Sequence, residues 1–113
     1  MAERAITILR RRRRQRCSTN LRFTFTVGLR VGQAFSRDLS SLGVFLRSDW
    51  SLEPECELAL RFCIPGDDRE IRCEGVVRSV VEGRSDGGFG VEFRNVDPAD
   101  RSRLERFIER QTR

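Results

Sequence analysis

From residue 21 to residue 31 every odd position is apolar: Leu21, Phe23, Phe25, Val27, Leu29 and Val31. The residues between them are Arg, Thr, Thr, Gly and Arg. A period of two predicts a strand with one buried face. Gly28, on the outer phase, predicts a bulge or a close approach by another segment. Gly32-Gln33 reads as a tight turn into a second short run over 34–38. Residues 39–43 interrupt the strand pattern, and 44–47 resume it. After a polar loop over 48–54, Cys56, Leu58, Leu60, Phe62 and Ile64 give a second clean alternation.

Pro65-Gly66-Asp67-Asp68 predicts a turn. A strand over 70–81 follows, with Ile71, Cys73, Gly75 and Val77 on one phase. Ser85-Asp86-Gly87-Gly88 then reads as a hairpin turn into a last strand over 89–93. At Asp97-Pro98-Ala99-Asp100 the period changes. Asp97 can cap a helix, Pro98 suits its first position, and Asp100 favours the positive end of the dipole. Leu104, Phe107 and Ile108 line one face of that helix, at about 97–112. The pattern predicts an all-β domain: a small antiparallel barrel of five or six strands, with a C-terminal helix over one opening or edge. The phenylalanines fall mostly on inner faces, and Trp50 is placed to cover a barrel end.

Charge divides the chain in two. Residues 1–16 carry seven Arg and one Glu, whereas residues 17–113 carry fifteen Arg against sixteen carboxylates. The positive excess therefore lies in the segment 1–16, where six arginines occupy the seven positions from Arg10 to Arg16. Like charges at that density predict a flexible arm ahead of a body spanning 17–113. Every basic residue is Arg, a planar fork suited to phosphate or to a guanine edge.

The chain has no His, which removes the usual general base and most zinc sites. Cys17, Cys56, Cys63 and Cys73 show no CxxC spacing, and three of them fall in strand-like runs, so they read as buried free thiols. No metal or cofactor is expected. Ser40 and Ser41 have no base to activate them, so the chain reads as a binder and not an enzyme. Reduced thiols and the lack of a leader or apolar span point to a cytoplasmic protein.

Two stretches carry recognisable chemistry. Arg12 and Arg16 stand as RxxxR just before the first strand, and Asp38, Ser40 and Gly43 stand as DxSxxG between two later ones. In this order and strand context the chain resembles the PilZ domain family, bacterial receptors for cyclic di-GMP, over nearly all of residues 10–112. The resemblance implies a six-stranded split barrel with a C-terminal helix. It implies that Arg12 and Arg16 hold phosphate and guanine, that Asp38 and Ser40 read guanine, and that Gly43 shapes the turn.

In the family, the residue before RxxxR is associated with whether one or two nucleotides bind. Here it is Arg11, and a cation there favours two. The implied protein is a single-domain receptor, monomer or weak dimer. It would pass ligand binding to an unknown protein effector by ordering its arm, with no specific nucleic acid as partner. Two other readings fit the same residues. One is a barrel of this fold that serves as an interaction protein without binding nucleotide. The other is a small β-barrel nucleic-acid binder using the arm, although no aromatic residue interleaves the basic run.

Overall fold

In a computed structural model the chain is described over residues 15–83 and 85–112. Most of the arm, including Arg11 and Arg12, lies outside the described residues. In chain order the elements are β1 (Cys17–Ser18), β2 (Arg22–Val27), β3 (Arg30–Leu39), β4 (Gly43–Arg47), β5 (Glu57–Phe62), β6 (Ile71–Val81), β7 (Gly88–Arg94) and α1 (Pro98–Gln111). The sheet runs β1-β3-β2-β5-β6-β7-β4, and β4 pairs back onto β3. That last pairing closes β2 to β7 into a six-stranded antiparallel barrel and leaves no long open edge. β1 adds two residues beside the second half of β3.

The first strand differs from its sequence reading. The run over 21–31 is two strands, because Gly28 and Leu29 form a two-residue turn with Val27 opposite Arg30. Gly28 has φ +60°, a left-handed conformation that glycine adopts without steric cost. In a hairpin with a two-residue loop, even residues face odd ones: Phe25 pairs with Gly32 and Phe23 with Ala34. The inner phase therefore switches from odd to even positions. Leu29 and Val31 continue the alternation in sequence but stand exposed on the structure. Gly32 and Gln33 lie inside β3 and are not a turn. Gly32 makes room for a ring, since a Cβ there would lie 2.6 Å from both Phe25 and Trp50.

The core follows the inner phases. Phe23 stacks on Phe62 at 4.2 Å across the β2–β5 pairing, and Phe25 meets Phe89 edge-on at 5.5 Å. Phe35 alone among the phenylalanines is exposed, because the parity switch places it on the outer phase of β3. Cys17 and Cys73 are buried, but Cys63 is exposed, one residue past the inward Phe62. Burial pushes the Cys73 thiol up to about 12.

One end of the barrel gathers the start of β2, the end of β3, the start of β4, the β5–β6 turn and the end of β7. α1 crosses that end, with Leu104, Phe107 and Ile108 buried beneath it. Asp97 caps α1 by accepting from the Ala99 N–H at 2.8 Å. Arg103 ties α1 to the β5–β6 turn through Asp67 and the Arg69 carbonyl, at 2.6 and 2.7 Å. At the other end Trp50 meets Phe25 at 4.8 Å, under the Arg30 guanidinium.

Candidate functional site

The site is built where β3 leaves the barrel. Between β1 and β2 the chain breaks its ladder, and the buried Ser36 hydroxyl repairs the break. It accepts from the Leu21 N–H at 2.9 Å and shares a 2.5 Å hydrogen bond with Thr19 Oγ1. β1 then pairs Cys17 with Leu39 and Ser18 with Asp38. This register delivers Arg16 to the end of β3, where its guanidinium donates to Asp38 Oδ1. The other carboxylate oxygen accepts from Arg37 Nε at 3.2 Å. Asp38 is thus held from two sides, while its side chain stays 22% exposed.

Past Asp38 the chain turns tightly. The Ser40 hydroxyl accepts from the Leu42 and Gly43 N–H groups, both at 3.2 Å, and the Ser40 N–H donates to the Gly43 carbonyl at 2.9 Å. Ser40 is buried, with its hydroxyl turned into the turn and not toward solvent. Gly43 needs space and not an unusual dihedral: a Cβ there would stand 2.2 Å from the Val91 carbonyl oxygen. Two further bonds hold the turn. Phe93 N–H donates to the Leu42 carbonyl at 2.8 Å, and Arg101 of α1 donates to the Ser41 carbonyl at 2.9 Å.

A cleft of about 510 Å³ opens on the outer face of β4 and β7 beside this turn. Arg16, Arg37 and Asp38 form one wall, and Arg78, Ser79 and Glu92 form the other. Its floor is low because Gly43 and Gly90 carry no side chain there. At the floor the Phe45 ring lies on the outer phase yet is buried, and the Arg37 guanidinium sits 3.8 Å over its centroid.

The far wall is a charge cluster. Arg78 donates from Nε to Glu92 and from an NH group to Glu55, each at 2.7 Å. These bonds raise the Arg78 pKa and, chiefly through Arg78, hold Glu92 below its ordinary carboxylate value. Behind the near wall, burial and then the Asp38 charge push the Cys17 thiol up.

Of the residues singled out in the sequence, the structure brings together Arg16, Asp38, Ser40 and Gly43. Arg11 and Arg12 lie outside the described residues. Sequence reasoning missed Arg37, Phe45, Arg78 and Glu92. Only Arg37, adjacent to Asp38, carried a local signal. Among the described residues no cluster of three or more His, Cys, Asp or Glu could hold a metal, and no helix is long and apolar enough to cross a membrane.

The family model of the PilZ domain matches residues 10–110. The chain belongs to the PilZ family. Solved structures share its fold. The Bacillus subtilis inhibitor of motility, MotI/DgrA, superposes with a TM-score of 0.76 at 19% identity, over 86% of this chain and 49% of that one. This PilZ chain therefore spans about half the length of that protein. The PilZ domain of Escherichia coli YcgR, solved with c-di-GMP, gives 0.66 at 18% identity, over 86% of this chain and 88% of the other. A tetrameric PilZ domain from Xanthomonas campestris gives 0.56 at 15% identity, covering 72% and 45% of the two chains. No curated protein sequence matches the chain.

Proposed function

We propose that this PilZ protein is a receptor for cyclic di-GMP that signals to a partner protein without catalysing a reaction. The observation that carries the reading is the meeting of Arg16 and Asp38 at the rim of the cleft, made by the β1–β3 register. The two motif halves are 22 residues apart in sequence, yet they share one hydrogen bond.

The chemistry suits the ligand. Arg16, with Arg12 and Arg11 from the arm, would fork onto phosphate oxygens or onto guanine O6 and N7. Asp38, held by Arg16 and Arg37, would accept from guanine N1–H and N2–H. Ser40 and Gly43 would act through the turn, keeping the Asp38 carboxylate at the rim. Arg11 supports an intercalated pair of nucleotides over a single one. Ordering of the arm across the cleft would relieve its own repulsion against the phosphates, and a partner in the cytoplasm would read the changed surface. The ligand would act as a signal and not as a cofactor.

The test is isothermal titration of cyclic di-GMP into the wild type and Arg16→Ala at two salt concentrations. Saturable binding that falls at least about tenfold in the variant is expected, with the stoichiometry giving one nucleotide or two. Equal affinity in the two proteins would sink the assignment. A flat titration of folded wild type would leave the interaction-protein reading in its place.

A further inference from the structure

The outer face of β2, β3 and β4 carries a patch that the cleft does not use. Pairing sets Arg22 opposite Phe35 and Phe35 opposite Arg47, so the three side chains form one row across the barrel's outside. Phe35 is 43% exposed at the centre of that row, and the Arg22 guanidinium lies 5.5 Å from its ring centroid. Further along β3, Val31 is 59% exposed, and Leu29 stands fully exposed at the hairpin tip. Thr24, Thr26 and Gln33 fill the rest of the outer phase of β2 and β3.

Charge sets this face apart. Among the described residues neither Arg22 nor Arg47 is ion-paired with a carboxylate. Arg61 of β5, opposite Thr24 at the edge of this face, is likewise without such a pair, whereas farther round the barrel Arg72 pairs with Glu70, Arg78 with Glu55 and Glu92, and Arg94 with Glu92. An aromatic ring flanked by arginines and ringed by uncharged polar residues has the anatomy of an interface hot spot.

We propose that this face docks an acidic segment of a partner protein, with an apolar side chain of the partner seated on Phe35 and carboxylates reaching Arg22 and Arg47. The chain's own arm is a poor occupant, because its arginine run would face the unpaired arginines of the patch. A membrane is disfavoured by the row itself: Phe35 lies level with Arg22 and Arg47, so inserting the ring would carry both guanidiniums toward the acyl region. A nucleic acid would find one aromatic ring and no track of stacking partners.

The position also joins the patch to the cleft. Phe35 and Arg37 share the outer phase of β3 two residues apart, and Arg37 forms the cleft wall. A partner seated on Phe35 therefore lies against the rim of the cleft. The docking face does not depend on which ligand the cleft takes.

A displayed library of random twelve-residue peptides, sorted on the wild-type chain and counter-sorted on Phe35→Ser/Arg47→Glu, tests the assignment. Both substitutions are at exposed positions, and a thermal melt confirms that the variant is folded. Peptides with Asp or Glu around one large apolar residue should emerge, binding the wild type at least about tenfold more tightly than the variant and weakening with salt. Enriched peptides without acidic character, peptides that bind both proteins equally, or no enrichment at all would overturn it. So would a difference between wild type and variant seen only on phosphatidylglycerol vesicles or only on a single-stranded oligonucleotide, which would assign the face to lipid or nucleic acid.

Discussion

Gly43→Ala is the sharpest probe of how the motif turn is held. The new Cβ would start 2.2 Å from the Val91 carbonyl oxygen, and real Cβ contacts do not go below 3.0 Å. Both groups are backbone-fixed, so no side chain can swing away. β4 would have to retreat from β7 by about 0.8 Å at that point, the difference between the two distances. The Phe93 N–H to Leu42 carbonyl bond, now 2.8 Å, would stretch to about 3.6 Å, past the useful range.

Loss of one bond costs about 1 kcal/mol, and the overpacking strain adds about 1–3 kcal/mol. For a domain of this size, a total of about 2–4 kcal/mol lowers the melting temperature by roughly 10–20 °C. The turn that carries Asp38 would shift with β4, so cyclic di-GMP affinity should fall as well. Differential scanning calorimetry of Gly43→Ala beside Gly28→Asn separates space from dihedral. A Cβ at Gly28 would meet nothing within 4 Å, but φ there is +60°, so Asn should be tolerated. A Gly43→Ala protein that melts within about 3 °C of wild type would refute the packing account.

Other outcomes follow from the same contacts. Iodoacetamide in native buffer should label the exposed Cys63 first and Cys56 more slowly, leaving Cys17 and Cys73 protected until denaturant is added, as peptide mass mapping would show. Asp67 is held below its ordinary value of 3.8 by the Arg69 N–H and then by Arg103, and Glu92 below 4.5 chiefly by Arg78. Depressed carboxylates stabilise the fold above those values, and the contribution is lost as pH falls through the folded-state values. Melting of Asp67→Asn should therefore trail wild type at pH 6 and converge with it in strong acid; a gap that persists at low pH would contradict an origin in the carboxylate's charge. Arg37→Ala removes the cover over Phe45 and one bond to Asp38, so cyclic di-GMP binding should weaken about three- to tenfold with little loss of stability, read by titration and melting together.

Much of the barrel was legible because its strands keep one face apolar. Leu58, Leu60 and Phe62, or Phe89, Val91 and Phe93, announce themselves by period alone, and Asp97-Pro98 announces the helix. The β2–β3 hairpin was not legible. Val27, Leu29 and Val31 keep the odd-position alternation running through a reversal that only the Gly28 backbone reveals. The site divides in the same way. Asp38, Ser40 and Gly43 form a local pattern whose spacing follows from one turn. Arg78 and Glu92 reach the cleft through β6–β7 pairing, which no short window of sequence encodes. Phe35 stands outside the core because its parity follows from the hidden turn, which no local window of sequence shows.

The seam of the barrel has a consequence for how the protein comes into being. β4 finds its second neighbour only in β7, so residues 43–47 wait for residues 88–92 before the ring can shut. Such pairings, distant in sequence, form late and slowly in a folding chain. On a ribosome the hairpin of β2 and β3 can form early, but the far wall of the cleft arrives only when nearly the whole domain has emerged. A nascent chain therefore has no complete cleft: its two walls, from β3 on one side and from β6 and β7 on the other, meet only once nearly the whole domain has been made.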